Sequence, residues 1–186
     1  MADLKITELD ALTTVLGEDL LAIVDDPTGT AATKKIRVDD FQNTFEGIGA
    51  RVYNSASIEI ANITEVALTF NSERYDTDSL HDTGSNTERL TCNTTGKYLI
   101  SASLSFATNA GGNLRILRIY LNNTTIISQV WQPDSSSGNN TLETTCTYEL
   151  SATNYVTAKV YQNSGGAIDV SLVANSSPEF MMHRIG

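Results

Sequence analysis

Apolar and polar residues alternate most strictly over residues 96–106. Taken two at a time, the apolar side chains fall on one face, which holds Tyr98, Ile100, Ala102, Leu104 and Phe106. The other face holds Leu99, Ser101, Ser103 and Ser105. A period of two residues is typical of a β-strand with one buried face. The second face is small and mostly hydroxyl-bearing, which favours a sheet that meets another copy of itself.

Similar short segments, separated by turn residues, follow one another from Arg51 to the end of the chain. We predict strands over residues 51–60, 65–70, 88–91, 96–106, 114–121, 125–131, 141–150, 155–161, 168–173 and 180–185. The polar stretches 71–87 and 133–140 are predicted loops, and Asn122-Asn123 is a predicted turn. Eight or more short strands at this spacing predict an all-β chain with an antiparallel β-sandwich or jelly roll.

The first part of the chain has a different composition. Residues 1–46 contain ten acidic and four basic residues, whereas the rest contains twelve and eight. Residues 20–24 and 33–38 are predicted to form a two-stranded hairpin, and Asp39 or Asp40 to cap a short helix that ends at Phe45. We therefore predict an N-terminal module, 1–48, and a sandwich domain, 49–186. The module needs a neighbour to bury its apolar residues, which are Leu9, Leu12, Leu16, Leu20, Ile23 and Phe41.

Charge and composition exclude several classes of function. The chain has 186 residues with 12 Lys and Arg against 22 Asp and Glu, which gives a formal net charge of −10 and argues against nucleic-acid binding. No apolar run approaches the roughly 20 residues of a membrane span, and the N-terminus lacks the pattern of a signal peptide. We expect synthesis in the cytoplasm and two reduced thiols, Cys92 and Cys146.

Three segments carry a family resemblance. Gly96-Lys97-Tyr98-Leu99-Ile100-Ser101 resembles the Gly-x-Tyr strand of the C1q/TNF-like jelly roll. Residues 150–156 stand where that family has Leu, a spacer, Gly-Asp and a strand opening in Val, although Thr153-Asn154 replaces Gly-Asp here. Residues 180–185 resemble the closing strand. The resemblance spans residues 51–186 and implies the C1q/TNF-like fold.

Other segments are similar to the C1q-like domains of bacteriophage virion proteins, namely residues 70–73, 75–78, 81–82, 86, 89–91 and 161–166. Residues 6–9, 17–20 and 33–36 resemble leader segments of phage fibre and decoration proteins. The resemblance implies a homotrimer whose sheet faces meet at a three-fold axis, here through Leu99, Ser101, Ser103, Thr145 and Thr147. It also implies that the N-terminal module attaches the trimer to the virus particle through Leu9, Leu12, Leu20, Ile23 and Phe41.

Candidate metal ligands and catalytic groups are sparse. Asp76, Asp78 and Asp82 could supply oxygens to Ca²⁺, but their spacing is not that of an EF-hand, and loop carboxylates are more often solvated or cap turns. His81 and His183 have no sequence signature of a nucleophile–base pair. Glu143 and Glu149 lie roughly 20 Å apart along one strand, too far for a glycosidase pair. We predict no enzymatic activity, no cofactor and no metal.

Several residues have two open interpretations. Trp131 opens a Ser-, Gly- and Asn-rich loop, where it could anchor a sugar or protein partner or close the end of the core. Arg115 and Arg118 lie on opposite faces of one apolar strand, with their heads either at sheet edges or in ion pairs with Glu143 or Glu149 of another subunit. We expect the exposed binding tips to include Asp76, Asp78, His81 and Trp131.

The predicted function is a structural virion protein that decorates the capsid or forms a head fibre. The alternative is a tail-fibre or spike tip that binds a glycan or protein receptor on the host, although a tail fibre usually needs a longer shaft. A cellular C1q/TNF-like ligand is a third possibility. The absence of a signal peptide and of a collagen-like Gly-X-Y repeat argues against it.

Overall fold

The computed structural model describes residues 16, 19–25, 32–38, 47–134 and 138–186. The chain divides into two compact units, 1–46 and 47–186. In the first unit, β1 (Leu20–Asp25) pairs antiparallel with β2 (Ala32–Arg37), from Leu20 opposite Arg37 to Asp25 opposite Ala32. The predicted hairpin is thus confirmed.

The structure describes only some of the residues named in the other predictions for this unit. Leu20 is 53% exposed, and Ile23 lies within β1. Leu9, Leu12 and Phe41 lie outside the described residues, as does the helix predicted to end at Phe45. The attachment role of all five residues stays a prediction.

The described residues of the second unit form twelve strands. In chain order they are β3 (Gly49–Tyr53), β4 (Ile58–Ile60), β5 (Val66–Ala67), β6 (Ser72–Asp76), β7 (Arg89–Thr91), β8 (Gly96–Phe106), β9 (Arg115–Leu121), β10 (Thr125–Gln132), β11 (Asn140–Leu150), β12 (Tyr155–Gln162), β13 (Ile168–Val170) and β14 (Glu179–Arg184). All pairings are antiparallel.

The strands form two sheets. The larger has the order β4-β13-β8-β14-β3-β6, with β11 also paired to β8. The smaller has the order β10-β9-β12-β5, with β7 also paired to β12. Antiparallel sheets that carry apolar residues on one face bury those faces against each other.

The core lies between the sheets. Tyr98, Ile100 and Leu104 of β8 are fully buried, as the alternation of that strand predicted. The smaller sheet contributes Leu117, Ile119, Val156, Ala158 and Val160. Full burial of a large apolar side chain stabilises the fold by about 1.5–3 kcal/mol. The pattern that defines the core also fixes which side chains of each sheet point outward.

Two strand predictions need correction. The stretch 71–87, predicted as a loop, contains β6, which pairs with β3 across a register shift between Arg51 and Val52. Its sequence, Ser-Glu-Arg-Tyr-Asp, has no apolar alternation because an edge strand has little to bury. The strand predicted over 51–60 is broken near Asn54, whose side chain accepts the Ala56 N–H and donates to the Thr69 carbonyl.

The predicted Asn122-Asn123 turn is confirmed. Both residues have positive φ, 48° and 62°, and the Thr124 N–H donates to the Leu121 carbonyl at 3.1 Å. This is the conformation of a type I′ turn, which suits the twist of a hairpin and which Asn tolerates well. The turn connects β9 to β10.

Candidate functional site

Four adjacent strands of the larger sheet, β11, β8, β14 and β3, align their outward side chains in three rows. The register gives the rows as Glu143, Ser103, Glu179 and Tyr53; then Thr145, Ser101, Met181 and Arg51; and then Thr147, Leu99, His183 and Gly49. We call these twelve residues the serine–threonine face. All five residues predicted for the trimer interface lie on it, whereas their contact with another subunit stays a prediction.

The face points away from the core because of strand alternation. Ile100, Ala102 and Leu104 are at most 1% exposed, so Ser101 and Ser103 between them must point outward. At one end of the face, Gly49 leaves space for the His183 side chain, since a Cβ at position 49 would overlap the His183 ring. Short side chains cover most of the β8 and β11 part of the face, whereas Met181 and Arg51 extend from β14 and β3.

Three hydroxyl groups on the face are paired within the chain. Thr145 Oγ1 donates to Ser101 Oγ at 2.8 Å, and Ser103 Oγ donates to the Ser176 carbonyl at 2.8 Å. Removing water from them costs less than it would for unpaired hydroxyls. The face can thus be covered by protein without leaving these groups unsatisfied.

The β14 and β3 side of the face carries a charged cluster. Glu179 is 4% exposed, and its carboxylate accepts from Arg51 and, at 3.0 Å, from Arg74. Ser101, Ser103 and Glu143 line a depression of about 230 Å³ next to this cluster. Within the described chain the Glu143 carboxylate has no hydrogen-bond or ion-pair partner, so it is available to one from outside the subunit.

His81 is not an exposed tip. Its side chain is fully buried, with Nδ1 2.9 Å from Glu73 Oε1 and Nε2 3.3 Å from the Thr87 carbonyl. The surrounding sequence is polar, which predicted exposure, but β6 supplies Glu73 and the following loop folds over the ring. The prediction for His81 is wrong.

The aspartates of the same segment hold the backbone. Asp76 is half-buried and accepts the N–H groups of Asp78, Leu80 and His81, so it too is not an exposed tip. Asp78 is half-buried and accepts from Thr94 at 3.4 Å. Asp82 is exposed, and hydrogen bonds from the Gly84 N–H, the Ser85 hydroxyl and the Ser85 N–H lower its pKa. The Asp76 and Asp82 carboxylates therefore cap turns.

Trp131 and the two arginines have distinct surroundings. Trp131 is 63% exposed at the end of β10.

Arg115 is buried, and its guanidinium donates to the carbonyls of Leu114 and Gly111. Burial lowers the pKa of Arg115. Arg118 is paired with Glu65 at 2.7 Å. The sequence suggested that both arginine heads lie at sheet edges or pair with Glu143 or Glu149 of another subunit. Neither arginine does so, because Arg115 donates to loop carbonyls and Arg118 pairs with Glu65 of its own chain.

Groups that could support catalysis or bind metal do not converge in the described ranges. Neither histidine is hydrogen-bonded to a hydroxyl or thiol there, and no three His, Cys, Asp or Glu side chains are grouped for a metal ion. Cys92 and Cys146 are both unpaired, and burial raises the pKa of the Cys146 thiol. Over the same residues, no helix has the length and hydropathy to cross a bilayer.

Sequence reasoning missed the part of the face contributed by β14 and β3. Met181 alternates with buried Phe180 and Met182, so its outward direction could have been inferred from the closing strand. Nothing local places that strand beside β8. Likewise, Arg51 and Glu179 are far apart in sequence and meet only through the pairing of β3 with β14.

No family model and no curated protein matches the chain. Solved structures do. Eiger TNF from S. frugiperda has a TM-score of 0.58 at 12% identity, over 75% of this chain and 93% of that one. Murine APRIL at pH 5.0 has a TM-score of 0.57 at 8% identity, over 75% of this chain and 100% of that one. Murine APRIL at pH 8.5 has a TM-score of 0.58 at 8% identity, with the same coverage.

Sequence identities this low support a conclusion about the fold alone. The two-layer antiparallel arrangement and these neighbours together identify the sandwich as a TNF-like jelly roll, and the fold predicted from the sequence is confirmed.

Proposed function

We propose that the chain is a non-enzymatic structural protein of a bacteriophage particle, made in the host cytoplasm, which assembles as a homotrimer through the serine–threonine face. The trimer follows from the C1q/TNF-like resemblance, and the virion role follows from the segments similar to phage fibre and decoration proteins. The observation that carries the proposal is the alignment of Ser101, Ser103 and Thr145 on one outward face.

The short side chains of the face permit close approach of another subunit. Side chains that end at the γ position allow the backbones of facing sheets to come near each other, while Leu99 and Met181 add apolar contact. The Glu143 carboxylate would find a hydrogen-bond donor on the neighbouring subunit. Specific interfaces bury about 800 Å² per partner, so the contact extends beyond the three rows to their borders.

The N-terminal module is proposed to hold the trimer on the particle as a capsid decoration or head fibre. Residues 1–48 would dock onto capsid protein through Leu9, Leu12, Leu20, Ile23 and Phe41. The exposure of Leu20 supports this role, because an apolar side chain at the surface gains free energy when a partner covers it. The domain 49–186 would then point outward.

Two other functions remain candidates. A tail-fibre or spike tip that binds a host receptor is favoured by Trp131, because exposed tryptophans often anchor partners. A TNF-like cellular ligand is favoured by the fold neighbours Eiger TNF and APRIL.

Immunogold labelling separates these functions. An antibody raised against the full chain would be applied to purified particles of a bacteriophage whose genome encodes the chain. Label on the capsid is the expected result, and label on tail fibres would support the receptor-binding role. Particles without label would contradict the virion proposal and leave the cellular ligand.

A further inference from the structure

The outer face of the smaller sheet carries long polar and aromatic side chains. Across β9, β12 and β7, Tyr120 opposes Thr157 and Thr157 opposes Arg89. Across β9 and β12, Arg118 opposes Lys159. Between these rows lies a groove of about 380 Å³ whose polar lining consists of Glu65, Glu88, Asn123, Tyr155, Thr157 and Lys159.

One wall of the groove is fixed by contacts within the chain. The Glu65 carboxylate accepts from Arg118 at 2.7 Å and from the Tyr120 hydroxyl at 3.0 Å. The Lys159 ammonium lies 4.3 Å from the centre of the Tyr120 ring. Burial raises the pKa of Tyr120, and its hydrogen bond to Glu65 acts in the same direction, so the hydroxyl stays a donor. This wall is preorganised.

The opposite wall and the floor hold polar groups without partners among the described residues. The Glu88 carboxylate and the Asn123 amide make no hydrogen bond there, although the turn fixes the Asn123 backbone. Thr157 is 2% exposed, and its Oγ1 has no hydrogen-bond partner. A buried hydroxyl without a partner is uncommon in folded proteins, and this one lies beneath the groove, where a small shift of its neighbours would let a ligand hydroxyl supply the partner.

The lining restricts the ligand class. The cations beside the groove are already engaged within the chain, Arg118 and Lys159 by Glu65 and Arg89 by the Tyr155 ring, which disfavours phosphates and other anions. The lining side chains are mostly polar, which disfavours an apolar ligand. Arg89 lies 4.8 Å from the centre of the Tyr155 ring, and Lys159 covers Tyr120, so cations of the chain itself already occupy one face of each ring. A carboxylate, an amide and a hydroxyl beside tyrosines suit a neutral ligand with many hydroxyl groups.

We propose that this groove binds a neutral oligosaccharide, with Glu88 and Asn123 as direct hydrogen-bonding residues and Thr157 at the floor. The groove and the serine–threonine face lie on opposite outer surfaces of the sandwich, so a trimer formed through one leaves the other accessible. The inference goes beyond the structural role proposed above and does not depend on it.

Titration calorimetry of the full chain with cello-, malto-, chito- and manno-oligosaccharides tests the site. At least one neutral oligosaccharide should bind. Glu88→Gln removes the charge while keeping the shape, and Asn123→Gly removes the amide while keeping the positive φ. Each variant should weaken binding about tenfold, the effect of losing a hydrogen bond to a sugar hydroxyl.

Glu59→Gln is the matched control, because Glu59 is an exposed acid on β4 of the other sheet. It should leave affinity unchanged. No binding by any of these sugars at millimolar concentration would overturn the proposal, as would binding that neither groove variant weakens. Light scattering on the same samples reports the trimer separately, so failure of one proposal is distinguishable from failure of the other.

Discussion

The two outer faces of the sandwich differ in the length of their side chains more than in their polarity. On the larger sheet, Ser101, Ser103 and Thr145 end within two bonds of the backbone and bond to their own chain. On the smaller sheet, Arg118 and Lys159 extend over the strands and meet Glu65. A face that remains in water is commonly covered by long side chains that keep their heads hydrated. The comparison supports the proposal that the larger sheet is the one covered by another subunit.

The largest effect is expected when a long charged side chain replaces a short one on the serine–threonine face. Ser101→Arg places a long guanidinium side chain on the serine–threonine face, where trimer formation would bury its charge and its length would hold the facing sheets apart, at a cost of several kcal/mol. We expect the variant to run as a monomer in light scattering, with an unchanged circular dichroism spectrum because Ser101 points away from the core.

The matched control is Gln129→Arg, since Gln129 is exposed on β10 of the smaller sheet. It adds the same side chain and should leave the trimer intact. A Ser101→Arg variant that remains fully trimeric would show that the interface lies elsewhere.

The two arginines of β9 test how much a buried polar group contributes to the free energy of unfolding compared with one near the surface. Arg115→Met leaves the carbonyls of Leu114 and Gly111 without their donor, and we expect a loss of about 3 kcal/mol in the free energy of unfolding. Arg118→Met breaks a partly exposed ion pair and should cost less than about 1 kcal/mol. Urea denaturation of both variants measures the difference, and equal losses would contradict the burial argument.

Alkaline pH should destabilise the fold through Tyr98. Its hydroxyl donates to the Thr94 carbonyl at 2.5 Å, and burial chiefly raises its pKa. Below about pH 10 the phenol is neutral in both states; above it, the unfolded chain loses the proton while the folded chain keeps it, so stability falls as pH rises. The slope for this one proton approaches about 1.4 kcal/mol per pH unit.

The test is to compare urea denaturation of the parent and Tyr98→Phe at pH 8 and pH 11. Phenylalanine has no proton to lose, so the variant should lose less stability over this range than the parent does. Parallel losses in the two proteins would show that Tyr98 does not contribute to the pH dependence.

The smallest effect is expected from Thr145→Val, which keeps the size of the side chain and removes its hydroxyl. The hydrogen bond to Ser101 is exposed, so unfolding should change by less than about 1 kcal/mol. If short length rather than polarity permits assembly, the trimer mass should be unchanged. Dissociation of this variant would instead assign the hydroxyl a direct role between subunits.

Local patterns in the sequence predicted the parts of this molecule that depend on alternation. Residues 96–106 indicated both the core residues and the outward Ser101 and Ser103, although Ser105, predicted on the same face, is buried. Asn122-Asn123 indicated its turn. They could not show that β14 and β3 join the same face, because strand order depends on pairing between distant segments. His81 shows the same limit, since its partner Glu73 lies on an edge strand whose sequence has no apolar alternation.

The mass of the purified full chain in solution, measured by light scattering on a size-exclusion column, tests the central claim most directly. The account predicts about 60 kDa, three times the 20.1 kDa of one chain. A mass near 20 kDa at micromolar concentration would contradict assembly through the serine–threonine face.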